Sequence, residues 1–210
     1  MDISSIKAVV FDCDGVLFDT ALSNRKFYDA ILDAFGKPPL SQEQFINVHM
    51  MTVKGAVEYL FPELDSHRPV YEKIKEIGYG TFTPYMQMEE GLRELLTALK
   101  DGGYIRGIAT NRTNTMEDVL EEFHLSQEFD IVMTAAKVEK PKPDPEQLLK
   151  IMDEFKLEAE EILFIGDSLY DEQAARNAGT RFVAFKSPDL SADAHAESMF
   201  KVQSLLNLNE

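Results

Sequence analysis

The sequence predicts an α/β protein, a doubly wound parallel sheet with an all-helical segment inserted near its start. Three observations predict it. Short apolar runs rich in β-branched and aromatic residues recur, amphipathic stretches separate the later ones, and a long strandless stretch follows the first.

The runs are Ala8 to Phe11, Ile105 to Ala109, Ile131 to Met133, Ile162 to Ile165 and Phe182 to Phe185. Between the later runs, residues recur at helical spacing: Leu92, Leu95, Leu96 and Leu99, then Met116, Val119, Leu120 and Phe123, then Leu148, Leu149, Met152 and Phe155. Strands that alternate with such helices form a parallel sheet covered on both faces. From about Leu22 to Tyr79 the pattern is helical throughout. Ala30, Ile31, Ala34 and Phe35 mark one face, and Ser41 with Gln44 reads as a capping box, stapled by Leu40 and Phe45. Ala56, Val57 and Leu60 mark a second face, and Val70, Ile74 and Ile77 a third. The expected division is a Rossmann-like core of residues 1–19 and 86–210 and a helical cap of residues 20–85, with hinges at Phe18 to Ala21 and Thr81 to Met88.

Composition narrows the function. A hydrophobic fraction of 44% with 28% charged residues fits a folded globular chain rather than a disordered one. The net charge of −16 would repel a nucleic-acid backbone, so no nucleic-acid partner is expected. Small anions are repelled too, unless a metal and placed cations reverse the field locally. Cys13 is the one cysteine, which excludes an internal disulfide. No signal-like segment or membrane-spanning run is seen, so a cytoplasmic enzyme with no membrane partner is expected.

In an open α/β sheet, ligands bind beyond the carboxyl ends of the strands. The first run leads into Asp12-Cys13-Asp14-Gly15. If the chain stays extended, Asp12 and Asp14 point the same way, and two close carboxylates call for a cation or a shared proton. Alone, in so acidic a chain, the pair reads more readily as solvated loop acids. The second run leads into Thr110-Asn111-Arg112, a phosphate-oxygen site or a helix cap. After the third comes Lys140-Pro141-Lys142-Pro143-Asp144-Pro145, where prolines fix the loop and one lysine serves the site while the other serves solubility. Asp144, Pro145 and Gln147 read as a helix start. The fourth run leads into Gly166-Asp167-Ser168-Leu169-Tyr170-Asp171, carboxylates of the kind that suit Mg²⁺, with Asp171 partly a helix cap.

Taken together and in this order, the four motifs resemble those of the haloacid dehalogenase superfamily, in its phosphatase branch. Asp12, Asp14 and Gly15 match its first motif, Thr110 its second, Lys140 its third, and Asp167 and Asp171 its fourth. The inserted helices match the family's cap placed after the first motif, and the likeness spans Ile6 to about Leu206.

The resemblance implies a Mg²⁺-dependent phosphomonoesterase acting on a small phosphorylated metabolite, similar to phosphoglycolate phosphatases. Asp12 would be the nucleophile and Asp14 the general acid and base. Asp12, Asp167 and the Asp14 carbonyl would hold Mg²⁺, with Asp171 orienting Lys140 or a metal-bound water. Thr110, Asn111 and Lys140 would bind phosphoryl oxygens. The segment His49-Met50-Met51-Thr52-Val53-Lys54-Gly55 is the expected specificity loop, with Lys54, His49 and Arg112 as candidate substrate contacts. Asp14 argues against a dehalogenase, which typically has an aromatic residue there. A mutase resembling β-phosphoglucomutase usually has a histidine where this chain has Asn24, and a phosphonatase would need a cap lysine such as Lys54 as an imine former. A non-catalytic binding protein is the reading from another class. A receiver domain is set aside, since its phosphorylated aspartate ends a strand midway along the chain rather than the first, and it lacks a helical insertion of this size.

Overall fold

The computed structural model describes residues 3–208; residues 1, 2, 209 and 210, which the expected core boundaries include, lie outside them. The chain divides into two compact units, Met1–Phe18 with Met88–Glu210, and Asp19–Gln87.

Strands and helices are numbered in chain order. The first unit holds β1 (Ala8–Phe11), β4 (Ile105–Thr110), β5 (Ile131–Thr134), β6 (Ile162–Gly166), β7 (Arg181–Phe185) and β8 (Ala194–Ala196). They form one sheet in the order β5-β4-β1-β6-β7-β8, and every pairing is parallel. β1 lies in the middle, with Phe11 level with Ile108 of β4 on one side and Ile165 of β6 on the other. The chain moves outward from β1 in one direction, then returns past it and moves outward in the other. Right-handed crossovers then put helices on both faces. These are α5 (Leu92–Asp101), α6 (Met116–Glu122), α7 (Glu146–Phe155), α8 (Leu169–Ala178) and α9 (Met199–Leu205).

Side chains alternate along the strands. Ala8, Val10, Ala109, Ile162, Phe164 and Ala184 pack with Leu148 and Ile151 of α7 and Ala174 of α8 in one core cluster. Val9, Phe11, Ile108, Ile165 and Val183 are also fully buried, as are Leu92, Leu95 and Leu99 of α5. Each such leucine contributes roughly 1.5–3 kcal/mol by leaving water. That packing makes the strand ends a rigid platform.

The second unit holds α1 (Ala21–Ala34), α2 (Gln42–Met50), α3 (Val53–Leu60) and α4 (Arg68–Ile77), followed by a 3-10 segment, Tyr79–Tyr85. Phe27, Ile31, Leu40, Val48, Val57, Leu60 and Val70 form its own core. Ser41 and Gln44 make the expected capping box at α2. Short strands β2 (Phe18–Asp19) and β3 (Gln87–Met88) pair at the two junctions of the units. Among the described residues, no helix is long and apolar enough to cross a membrane.

Candidate active site

Three neighbouring strands deliver the site. Asp12 follows β1, and its N–H continues the ladder by donating to Ile165 O at 2.9 Å. Thr110 ends β4 and Asp167 follows β6. All lie at the carboxyl edge where the strand order reverses.

Lys142 Nζ sits 2.8 Å from Asp12 Oδ1 and 2.6 Å from Asp171 Oδ1. Asp171 is fully buried, and its other oxygen accepts from Ser168 N at 3.0 Å and from Ser168 Oγ. The same Ser168 caps α8, so the helix start and the lysine share one carboxylate. Asp171 thereby orients the lysine.

This corrects one sequence expectation. The lysine at the carboxylates is Lys142, and Lys140 is exposed. The Glu146 carboxylate in the first turn of α7 accepts from the backbone N–H groups of Glu139 and Lys140, which ties Lys140 to the outer part of the loop. Two residues on, the chain has turned inward and Lys142 is buried.

Asp14 also departs from expectation. The chain leaves the extended conformation after β1: Cys13 O accepts from Leu17 N and Phe18 N at 3.0 and 3.1 Å, and Gly15 turns at φ 78°. The two-residue alternation therefore stops before Asp14. Its carboxylate lies on Arg112, which donates from Nε and Nη2 at 2.8 Å each. Asp12, Asp167 and Asp171 each bring one oxygen within 4.8 Å of the others, and Asp14's carboxylate is outside that group.

The remaining candidates are placed as follows. Thr110 is buried, and its Oγ accepts from Arg112 N at 3.2 Å, which leaves its own O–H to donate. Asn111 Nδ2 donates to Lys142 O at 3.0 Å, tying the Thr110 loop to the lysine loop. In the helical unit, Lys54 is 78% exposed and pairs with Glu58 at 4.0 Å. His49 Nδ1 lies 3.1 Å from Asn24 Nδ2, and its ring lies on Phe45.

Two residues support the site in roles the sequence does not mark, Gln147 being expected there only as part of a helix start. Gln147 is fully buried in α7 and donates to Thr110 O at 2.7 Å and Met133 O at 3.2 Å, which fixes the ends of β4 and β5 together. Its signal was an amide beside the apolar stripe of α7. Ser187 Oγ donates to Asp167 O and holds the β6 end from the β7 loop; nothing local in the sequence marks it.

Electrostatics make the site expectant of a cation. Burial, with Asp171 and Asp14 adding to it, outweighs the attraction of Lys142 and pushes the Asp12 carboxyl up to about 7. Burial, then Asp171 and Asp12, pushes Asp167 well above the usual carboxylate range. Burial alone would lower Lys142, but Asp12 and Asp171 outweigh it and hold its ammonium well above the usual lysine value. Among the described residues, Lys142 pairs with Asp12 and Asp171, and Arg112 with Asp14. A side chain on Gly15 would run into the Asp167 carboxylate, so that carboxylate lies against the turn after Asp12. Hard oxygen donors in excess over cations fit Mg²⁺. Asp171 is already occupied by Lys142 and Ser168, which leaves Asp12 and Asp167 as the carboxylates for an ion.

The sequence pattern of the family described as haloacid dehalogenase-like hydrolase matches residues 9–185. The chain is a haloacid dehalogenase-like hydrolase. The hydrolase is similar to N-acetylmuramic acid 6-phosphate phosphatase of Pseudomonas aeruginosa, 30% identical over 189 residues, with 86% of this chain and 82% of that one covered. It is similar to phosphoglycolate phosphatase of Nitrosospira multiformis, 31% identical over 222 residues and covering 96% of each chain. Among solved structures, a subfamily IA hydrolase of the superfamily from Geobacter sulfurreducens is 40% identical, with a TM-score of 0.77 over 96% of this chain and 97% of that one. The hydrolase belongs to the family's phosphatase branch and is a phosphoric monoester hydrolase.

Proposed function

We propose that the hydrolase cleaves a small phosphomonoester in two steps through an aspartyl-phosphate on Asp12. The observation that carries this reading is the buried Asp12 carboxylate, held at the centre of the sheet edge by Lys142 and faced by Asp167. Asp12 attacks phosphorus, the Asp12 Oδ–P bond forms, and the ester P–O bond breaks. Asp14 gives its proton to the departing oxygen, then takes one from the water that attacks phosphorus. The P–O bond to Asp12 breaks in that second step, releasing phosphate and restoring both acids. The Lys142 ammonium and the Thr110 O–H oppose the charge on the phosphoryl oxygens. Asp12 and Asp167, with the Asp14 carbonyl, would hold Mg²⁺, which supplies the positive charge that lets an anionic ester approach a carboxylate.

The relatives' names denote phosphate esters of carboxylic acids, which supports a small metabolite bearing a second acidic group. We assign the helical unit Asp19–Gln87 the cap role that the resemblance implies.

The test is release of phosphate from p-nitrophenyl phosphate and from a panel of phosphorylated metabolites. Mg²⁺-dependent release that falls by on the order of 10³ or more in Asp12→Asn is expected. Folded wild-type protein that releases phosphate from no ester would sink the reading.

A further inference from the structure

Resting on the phosphatase reading, we propose that Arg112 exchanges partners during the reaction. In the free chain it clamps Asp14, and when substrate binds it releases Asp14 to grip the substrate's second anionic group.

The clamp is complete on the carboxylate side. Arg112 Nε takes one Asp14 oxygen and Nη2 the other. A carboxylate with both oxygens accepting from one guanidinium has neither oriented to hand a proton to a leaving group. The acid step therefore requires the clamp to open and the freed Asp14 carboxylate to take up a proton from water before handing it to the leaving oxygen. Only 6% of the Arg112 side chain is exposed, against 17% for Asp14. Removing the anion from so buried a guanidinium is costly, so the clamp opens far more readily when another anion takes its place.

The geometry lets the side chain change partner without moving the loop. Arg112 N donates to Thr110 Oγ1 at 3.2 Å, and Arg112 O accepts from Ala135 N at 2.9 Å. A third donor, Nη1, reaches Thr115 Oγ1 at 3.3 Å and steadies the far side of the guanidinium. Arg112 thus stands two residues beyond Thr110, with a planar fork already shaped to a carboxylate. An ester without a second anion offers nothing to exchange for Asp14. The chain would then select acidic phosphate esters in the chemical step as well as in binding.

The test compares esters that differ in the second acid. One pair is phosphoglycolate and ethylene glycol monophosphate; the other is N-acetylmuramic acid 6-phosphate and N-acetylglucosamine 6-phosphate. For each, kcat and KM are measured with Mg²⁺ in wild type, Arg112→Lys and Arg112→Gln. Wild type is expected to favour the acidic member of at least one pair in kcat as well as in kcat/KM. Arg112→Gln should cut that preference at least about tenfold, the scale of a lost charged hydrogen bond, and Arg112→Lys should fall between. The preference is a ratio within one protein, so a partly folded variant still reports it. If Arg112→Gln does not fold, Arg112→Lys decides. A preference that survives the substitutions, or is absent from wild type in both pairs, overturns the exchange while the phosphatase reading stands. Wild type inactive on every ester overturns both.

Discussion

Lys142 keeps 2% of its side chain exposed and faces two carboxylates within 2.8 Å. Removing one member of such a buried set leaves the others uncompensated. Lys142→Met should therefore cost about 3–5 kcal/mol in the metal-free protein. It should also lower kcat with p-nitrophenyl phosphate by at least about 10². Lys140→Met, on the exposed side of the same loop, should change stability by less than about 0.5 kcal/mol and leave kcat near wild type. Urea melts and initial rates on both variants check this, and equal effects at the two positions would refute it. The sequence could not rank the two lysines, because each precedes a proline and matches the same motif. What separates them is the Glu146 carboxylate, which captures the backbone at Glu139 and Lys140 and leaves the inward turn to Lys142. The direction of the Asp14 side chain is hidden for a related reason: the two-residue alternation ends with β1, and the chain turns at Gly15.

Elements were legible where burial is two-sided. The runs at Ala8, Ile105, Ile131, Ile162 and Phe182 stand within a residue of β1, β4, β5, β6 and β7, since strands covered on both faces read as unbroken apolar runs. β2, β3 and β8 have two or three residues each, too few to show a period, and were missed. α8 shows how an element end serves the site. Its capping box joins Ser168 and Asp171, so the helix start and the lysine's anchor are one structure. Ser168→Ala should cost about 1 kcal/mol through the lost cap. Asp171 loses its Ser168 Oγ donor at the same time, so the lysine it holds loosens and kcat should fall while KM moves little. Ser168→Thr, which keeps a hydroxyl cap, should restore both, and a kcat that stays at wild-type level in Ser168→Ala would break the link between helix end and site.

The whole molecule carries a net charge of −16, yet its proposed substrates are anions, so local charge reversal is the problem it has to solve. Lys142 and Arg112 solve part of it, and the raised Asp12 and Asp167 carboxyls measure what remains. That remainder has a definite sign in a pH titration. Asp12 loses its proton near 4 when unfolded and near 7 when folded without metal. Between those values the folded state holds the extra proton, so stability falls as pH rises through this window. Asp167 acts in the same direction. Lys142, raised above its usual value, loses its contribution only at alkaline pH and leaves the window untouched. In EDTA, Asp12→Asn should gain stability relative to wild type between pH 4.5 and pH 7.5, by roughly 1–4 kcal/mol. Taking the difference against the variant cancels the repulsion among the other acids. Mg²⁺ competes with the same proton, so it should raise the wild-type melting temperature more at pH 7.5 than at pH 5, and much less in Asp12→Asn at either pH. Thermal melts with EDTA and with saturating Mg²⁺ read both effects. A magnesium shift that is equal at the two pH values, or unchanged by Asp12→Asn, would show that the ion binds away from the carboxylates on which the proposed chemistry depends.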